Sequence, residues 1–338
     1  MKRIDPLRRF APAPQVIELN LMGHRLRLET DSKKILDHVS GLFSTYPDRP
    51  NRFPEFVWRI ISQTDFQMGP PWPERSAFAD HGLCCIAFGQ RNFLAVDLDM
   101  QEGIGFVAEG LAEDALGLTS PFLDNLFCMT AASLGLTAIS AACVGLGNAG
   151  LLVVGSPNSG KTTSCYIAAR NGLEYHADRA LFVEQKSGVI RAWGDFWPAA
   201  FRPDTLRFLP ELAASAHLFR YSNFTFYYLD KRALQASPMH SIIPACCVFL
   251  ERGRTTQPRL TEVPRAEFAR RVTRLAAFQD DIRFDAQRAS VFAALEALPA
   301  YDFAYREDPA DAAGVFHELL HRHPAQENTG RLHRESSG

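Results

Sequence analysis

A run of residues near the middle of the chain has the types and the spacing needed to bind phosphate groups. Gly155–Thr162 reads GSPNSGKT and matches the pattern G-x-x-x-x-G-K-[ST] at every fixed position. In such a loop, backbone N–H groups surround the phosphates, and the N-terminus of the following helix adds its positive dipole end. The pattern predicts that Lys161 reaches the β- and γ-phosphates and that the Thr162 hydroxyl binds Mg²⁺.

The flanking residues have the character that this chemistry requires. Leu151–Val154 predict a short buried strand before the loop, and Thr163–Asn171 predict a helix after it. We therefore expect ATP and Mg²⁺ to bind here. The residues predicted to contact the nucleotide are Gly155, Ser156, Pro157, Asn158, Ser159, Gly160, Lys161, Thr162 and Thr163.

Asp178 is the first acidic candidate that lies one helix and one turn beyond Lys161. This spacing predicts that the chain has returned to the strand beside the loop's own strand. A carboxylate there can accept the proton of a hydroxyl that attacks the γ-phosphate. Asp178 and Lys161 are thus the predicted catalytic residues, and Thr162 and Asp178 the predicted metal ligands. A strand-end aspartate can also be purely structural, and Arg179 can either stabilise phosphoryl charge or pair with a carboxylate.

Hydrophobic periodicity predicts an α/β chain in three parts: an N-terminal α+β region (1–120), a domain that contains the phosphate-binding motif and is its expected catalytic domain (121–325), and a disordered tail (326–338). In the first part we predict a hairpin (Val16–Leu21, His24–Glu29), a helix (Ser32–Phe43) and strands at Phe56–Ser62, Cys84–Phe88, Phe93–Leu98 and Gly105–Val107. In the second we predict helices at Phe122–Leu134, Pro264–Phe278, Ala286–Leu298 and Ala310–His321, and strands at Ile139–Val144, Tyr175–Glu184, Val189–Trp193, Ile242–Glu251 and Tyr301–Tyr305.

Composition argues against several partners and compartments. The net charge of −2 gives no field that would attract nucleic acid or anionic lipid. The N-terminus lacks an apolar signal core, and no run of apolar residues is long enough to cross a membrane. We expect a cytoplasmic protein with no nucleic-acid or membrane partner. The seven cysteines include no C-x-x-C pair, which predicts buried, reduced thiols.

The segment from Gly155 to Asp178 resembles the C-terminal catalytic domain of HPr kinase and its relatives, among them lasso-peptide tailoring kinases. In that family a P-loop is followed by a short helix, a glycine and a strand that ends in Asp-Asp. Further segments agree in order: Phe196–Leu206 is similar to the family's Pro-rich loop and helical turn, Ile242–Arg252 to its late core strand, and Leu298–Tyr305 to its closing strand.

This resemblance implies an HPr-kinase-type P-loop core preceded by a small α+β region. It implies a kinase that transfers the γ-phosphoryl group of ATP to a Ser or Thr hydroxyl of a peptide or small protein, such as a biosynthetic precursor peptide. In the family the first Asp of the pair is the base, and Asp178 matches it. Relatives form rings, so a homo-oligomer is also implied.

Two departures from the family pattern keep other functions open. Arg179 stands where members have the second Asp, and Ser140 stands where they have a His. A nucleotide-binding scaffold or regulator without transfer activity is one alternative, and a small-molecule kinase is another. The N-terminal region is expected to complete the core, although an edge strand at Val16–Leu21 or Phe56–Ser62 can pair with an extended peptide.

Overall fold

The computed structural model describes residues 11–44, 46, 53–63, 75–80, 82–89, 91–186, 188–221, 224–230, 234, 240–253, 255–277 and 282–325. Within these ranges the chain is mixed α/β and forms four sheets. The predicted tail at 326–338 lies outside the described residues.

The first seven strands form one mixed sheet in the order β1-β2-β3-β7-β6-β5-β4. They are β1 Gln15–Leu21, β2 His24–Thr30, β3 Phe56–Gln63, β4 Arg75–Asp80, β5 Leu83–Phe88, β6 Asn92–Asp97 and β7 Glu102–Ala108. The predicted hairpin is confirmed: Met22 and Gly23 both have positive φ (52° and 83°), as a two-residue type I′ turn requires. Because β3 pairs with β2 on one side and β7 on the other, the prediction of an open edge at Phe56–Ser62 is wrong.

One helix packs on this sheet between β2 and β3, and three more helices follow β7 and connect the sheet to the rest of the chain. They are α1 Lys33–Phe43, α2 Glu109–Glu113, α3 Ala115–Gly117 and α4 Asp124–Ala131. The helix predicted at Phe122–Leu134 is confirmed as one helical run, with π-helical geometry before α4 and a 3₁₀ turn after it. Ser120 leaves helical geometry (φ −132°, ψ 101°), as is favoured for a residue that precedes a proline in the sequence.

Residues 137–305 supply the remaining strands of the described part of the chain, β8 to β19. They are β8 Thr137–Ile139, β9 Ala142–Leu146, β10 Ala149–Gly155, β11 Glu174–Ala177, β12 Leu181–Lys186, β13 Val189–Gly194, β14 Ala199–Phe201, β15 His217–Tyr221, β16 Phe224–Leu229, β17 Ile243–Arg252, β18 Arg259–Glu262 and β19 Ala300–Tyr305. The central sheet has the order β11-β9-β10-β17-β19-β18, and two three-stranded sheets have the orders β13-β12-β8 and β14-β16-β15.

The remaining helices cover both faces of the central sheet. They are α5 Lys161–Arg170, α6 Leu212–Ser215, α7 Arg265–Val272, α8 Asp285–Leu295 and α9 Pro309–Arg322. Leu151 and Val153 of β10 pack with α5 and α9, whereas Leu152 and Val154 pack with α7 and α8. This alternation follows from the two-residue period of a strand and makes β10 a fully buried strand. No helix in the described part of the chain is long and apolar enough to cross a membrane.

Two predicted strands are each divided between sheets. The segment Ile139–Val144 is split into β8 and β9, and Tyr175–Glu184 is split into β11 and β12. In the second break, side chains replace strand partners: the Asp178 carboxylate accepts from the Ala200 N–H (3.1 Å) and the Asp195 carboxylate from the Ala180 N–H (3.4 Å). The prediction that β11 lies directly beside β10 is also wrong, because β9 lies between them.

One aromatic cluster joins the two predicted domains. Phe127 of α4 contacts the rings of Trp58 in β3 (6.4 Å between centroids), Phe182 in β12 (4.8 Å) and Phe196 (5.7 Å). All four side chains belong to one buried core that runs from residue 19 to residue 228. The packing is continuous across the predicted boundary at residue 120, and the boundary itself stays a prediction.

Phe127→Ala should lower the free energy of unfolding by about 3–5 kcal/mol, because a fully buried ring is replaced by a cavity. Urea unfolding followed by tryptophan fluorescence measures this loss. Phe53→Ala is the matched control, since 78% of Phe53 is exposed, and it should change stability little. Equal losses in the two variants would contradict the proposed role of the cluster.

Candidate functional site

The phosphate-loop motif forms the connection between β10 and α5. Gly155 ends the strand, Gly160 is the N-cap of the helix, and Lys161 begins it. Gly160 has φ +89° and Asn158 has φ +68°, so the loop passes twice through the left-handed region. The first N–H groups of α5 have no partner within the helix and are the donors that an anion at this end would accept from.

Lys161 lies over the loop that it follows. Its Nζ donates to the carbonyl oxygens of Gly155 (2.7 Å) and Ser156 (3.1 Å). Burial lowers the pKa of Lys161, and the negative charge of Asp178 partly opposes this change. The two carbonyl groups therefore hold the ammonium near the loop. A bound phosphate can take their place as its hydrogen-bond partner.

Tyr305, the last residue of β19, fixes the loop from the side. Its hydroxyl donates to the Ser159 carbonyl (2.6 Å). The same hydroxyl lies against Gly160, where an added Cβ would overlap the Tyr305 oxygen. Gly160 thus meets two requirements at once, a positive φ and close contact with Tyr305.

A pocket of about 480 Å³, including its opening to solvent, adjoins the N-terminus of α5. Its lining residues are Asn158, Gly160, Lys161, Thr162, Thr163, Ala200, Phe201, Arg202, Asp204, Thr205 and Arg252. Three cations, Lys161, Arg202 and Arg252, face one carboxylate, Asp204. Arg202 is positioned by a hydrogen bond to the Asn158 side-chain oxygen. This excess of positive charge beside a helix N-terminus suits a polyphosphate.

The pocket contains five of the nine predicted nucleotide-binding residues: Asn158, Gly160, Lys161, Thr162 and Thr163. The other four are Gly155 at the strand end, exposed Ser156 and Pro157, and buried Ser159. Sequence reasoning assigned no role to Arg202, Asp204 or Arg252. Arg252 had a usable signal, because it directly follows the predicted strand Ile242–Glu251, and ligands of α/β sheets bind beyond the carboxyl ends of such strands.

Asp178 lies beside the pocket but does not line it. Only 3% of the residue is exposed, and its carboxylate accepts from the N–H of Ala200, which does line the pocket. Its charge acts on the pKa of both Lys161 and the buried Cys165 thiol. Asp178 therefore holds a strand of the pocket wall, β14, in place without lining the pocket itself.

Arg179 pairs with carboxylates, which was one of its two predicted roles. Its guanidinium lies 3.5 Å from the Asp124 carboxylate, donates to the Ser120 hydroxyl (3.3 Å) and stacks 4.9 Å from the Trp197 ring. Desolvation disfavours its charge, but the carboxylates of Asp124 and its other acidic neighbours outweigh this, so its pKa lies above the usual arginine value. Ser140, in the break between β8 and β9, is exposed and is held by its backbone N–H to Leu275 (2.6 Å).

No protein-family model matches the chain, and no curated protein matches it. Among solved structures, the chain is similar to the Hpr(Ser) kinase/phosphatase from Coxiella burnetii, with 8% sequence identity and a TM-score of 0.28. The match covers 55% of this chain and 94% of that one. At these values the similarity assigns the chain to no family.

Gly160→Ala should destabilise the protein by more than the roughly 1–2 kcal/mol that a left-handed alanine costs, because its Cβ also overlaps the Tyr305 hydroxyl. In a Tyr305→Phe background this overlap is removed, and the next nearest atom, Tyr305 Cζ, lies at 3.6 Å. The loss should then fall to the cost of strain alone. Urea unfolding of the four members of this double-mutant cycle measures the coupling.

Gly135→Ala supplies the matched control. Gly135 has φ +82°, and an added Cβ there meets no atom within 4 Å, so this variant carries the strain without the overlap. A Gly160→Ala loss that is equal to the Gly135→Ala loss, or that is unchanged in Tyr305→Phe, would contradict the fastening of the loop by Tyr305.

Proposed function

We propose that this protein is an ATP- and Mg²⁺-dependent kinase that transfers the γ-phosphoryl group to a Ser or Thr hydroxyl of a peptide or small protein. The observation that carries this proposal is the pocket in which the phosphate-loop motif meets Arg202 and Arg252. The acceptor class rests on the resemblance of residues 155–178 to peptide- and protein-modifying kinases.

Three kinds of donor in this pocket fit the phosphates of ATP. The N-terminus of α5 offers backbone N–H groups, Lys161 offers an ammonium, and Arg202 and Arg252 offer planar guanidinium groups. Arginine forms paired hydrogen bonds with phosphate oxygens, whereas lysine acts as a point charge. In the proposed complex, Lys161 exchanges its carbonyl partners at Gly155 and Ser156 for phosphate oxygens.

The pocket also fits a magnesium ion beside the phosphates. Mg²⁺ prefers oxygen ligands and shares them with phosphates and water. Thr162 supplies a hydroxyl and Asp204 a carboxylate, and both line the pocket. The bound ion would neutralise the charge that develops on the transferred group. Asp178, the other predicted ligand, has no place in the pocket lining, so we favour Asp204 for this role.

Asp178 is the proposed general base. The acceptor oxygen bonds to the γ-phosphorus as the bond to the bridging oxygen of ADP breaks, and the acceptor proton passes to the Asp178 carboxylate. Its proximity to Lys161 supports this role. Because the carboxylate is bonded to the N–H of Ala200 in the pocket wall, the acceptor must enter next to Ala200 and replace this N–H as the partner of the carboxylate.

The burial of Asp178 favours a second candidate function, a nucleotide-binding scaffold or regulator. A carboxylate that is 97% buried and bonded to a backbone N–H can serve β14 alone. Arg179, which replaces the family's second acidic residue, is engaged with Asp124 and Trp197 rather than with the pocket. In this case ATP binds and no group is transferred.

Lys161→Ala should weaken ATP binding about 10- to 100-fold, because it removes a charge-assisted hydrogen bond to phosphate. Arg252→Ala should act in the same direction. Titration with a fluorescent ATP analogue in Mg²⁺ buffer gives the dissociation constants. Lys186→Ala, at a largely exposed lysine on β12, is the control and should leave affinity unchanged. Unaltered ATP binding in Lys161→Ala would overturn the assignment of the pocket.

Asp178→Asn separates the two candidate functions. A kinase should lose about 10²- to 10⁴-fold of its transfer rate while its ATP affinity changes little, because only the proton acceptor is removed. Incubation with γ-labelled ATP and a library of Ser- and Thr-containing peptides, read by mass spectrometry and label counting, measures transfer. Saturable ATP binding by the native protein without any labelled product would favour the scaffold.

Asp195→Asn is the matched control for this experiment. Asp195 is also a fully buried carboxylate that accepts from a backbone N–H in the same break between sheets. A loss of transfer in Asp195→Asn as large as in Asp178→Asn, at equal folded fraction by circular dichroism, would point to a structural role for both.

A further inference from the structure

Glu174, His176 and His240 bring three metal-binding side chains together outside the phosphate pocket. Their ligand atoms all lie within 4.8 Å of one another. The Glu174 Oε2 atom is 3.4 Å from His176 Nε2 and 3.3 Å from His240 Nε2, and the two imidazole rings lie edge to face at 5.3 Å. Among the described residues this is the one group of three or more His, Cys, Asp or Glu side chains that converges in this way.

The backbone of β11 is shaped to place His176 in this group. The pairing with β9 runs from Tyr175 opposite Val144 directly to Ala177 opposite Cys143, so His176 is the extra residue of a β-bulge. A bulge redirects the side chain at its position. Opposite the start of β11 stands Gly145, where an added Cβ would lie 2.8 Å from His176 Nε2. The absence of a side chain at Gly145 leaves the room in which the imidazole lies.

The spacing of the donor atoms matches a small tetrahedral ion. Two ligand atoms that each lie about 2.1 Å from such an ion are about 3.4 Å apart. The two carboxylate-to-imidazole distances already have this value. The third edge, between the ligand nitrogens of the two imidazoles, is no longer than 4.8 Å, and His240 is 36% exposed, which leaves its ring room to rotate. His176 is 2% exposed, so one ligand is fixed by packing and the other two can adjust.

The cluster lies at the opposite end of the central sheet from the phosphate pocket. Glu174 begins β11 and His240 precedes β17, while the loop at Gly155 and Arg252 follow the carboxyl ends of β10 and β17. Strand β10 has seven residues, so the two ends are separated by roughly 20 Å. An ion at the cluster is therefore independent of any Mg²⁺ that accompanies a nucleotide.

We propose that Glu174, His176 and His240 form a binding site for a divalent transition-metal ion of the zinc type. Two imidazoles and one carboxylate suit such ions, whereas Mg²⁺ and Ca²⁺ take oxygen ligands. Three protein ligands leave a fourth position for water, and the half-exposed Glu174 and His240 leave that position accessible. The ion ties the residues before β17 to the edge strand β11.

Zinc uptake by the full-length, tag-free protein tests the site. After treatment with EDTA and its removal, the protein is titrated with Zn²⁺ against a chromophoric chelator, and its bound metal is counted by mass spectrometry. We expect one Zn²⁺ per chain, no displacement by excess Mg²⁺ or Ca²⁺, and a rise in the thermal midpoint on Zn²⁺ addition, because the ion binds the folded state. Failure to take up one equivalent overturns the proposal.

Variants assign the uptake to the three residues. His176→Ala, His240→Ala and Glu174→Gln should each weaken Zn²⁺ binding by more than about 10-fold, the smallest effect typical of losing even an outer-shell partner. His321→Ala, at an exposed histidine on α9, is the matched control and should bind Zn²⁺ as the native protein does. Native-like binding in either His176→Ala or His240→Ala, or an equal loss in His321→Ala, would rule the site out.

Gly145→Ala gives a second, independent measurement. It keeps all three ligands but crowds His176 Nε2, so it should weaken Zn²⁺ binding and leave Mg²⁺-dependent ATP affinity unchanged. Should His176→Ala not fold, His240→Ala still decides the matter, since its side chain lies at the surface. Full Zn²⁺ affinity in a folded His240→Ala protein contradicts the proposal.

Discussion

The parallel pairing of β10, β17 and β19 is the constraint on which the rest of the structure depends. It places Gly155 opposite Leu250 and Arg252 opposite Tyr305. Three segments that are distant in sequence therefore end side by side, at the carboxyl ends of the parallel strands. The loop that leaves β10 there is closed by Tyr305 and flanked by Arg252. Strand β10 is buried on both faces. A shift of its register by one residue would move its apolar side chains from one packed layer to the other. This packing therefore fixes the positions at which β10 and its neighbours end.

Much of the structure at the carboxyl end of β10 could be predicted from local sequence patterns. The motif itself, the strand before it and the helix after it depend on residues close in the chain. The break at Asp178 was not predictable in that way, because the segment has the composition of one strand and is divided by bonds to Ala200 and Asp195, residues 15 to 22 positions away. The roles of Arg202 and His240 were not predicted for the same reason, because their partners, Asn158 and Glu174, are remote in sequence.

The segment that runs from α5 into β12 carries residues of both sites that are proposed above, the metal site and the phosphate-transfer site. Glu174 and His176 lie at the start of β11, and Asp178 follows its last residue. The strand is short, is bulged at His176 and pairs on one side, with β9. An edge strand has a partner on one side only, and a bulge locally disrupts that pairing. Whatever fixes the start of β11 therefore also helps to fix the carboxylate at its end.

The aromatic cluster around Phe127 has a consequence for how this protein can change over evolutionary time. Trp58 comes from the N-terminal sheet, while Phe182 and Phe196 come from the segments that follow the phosphate loop. A chain that lost its first 120 residues, or exchanged them for another domain, would expose a large apolar surface beside β12 and the residues before β14. A substitution at one of these contacts is thus expected to need a compensating change in the side chains that it touches.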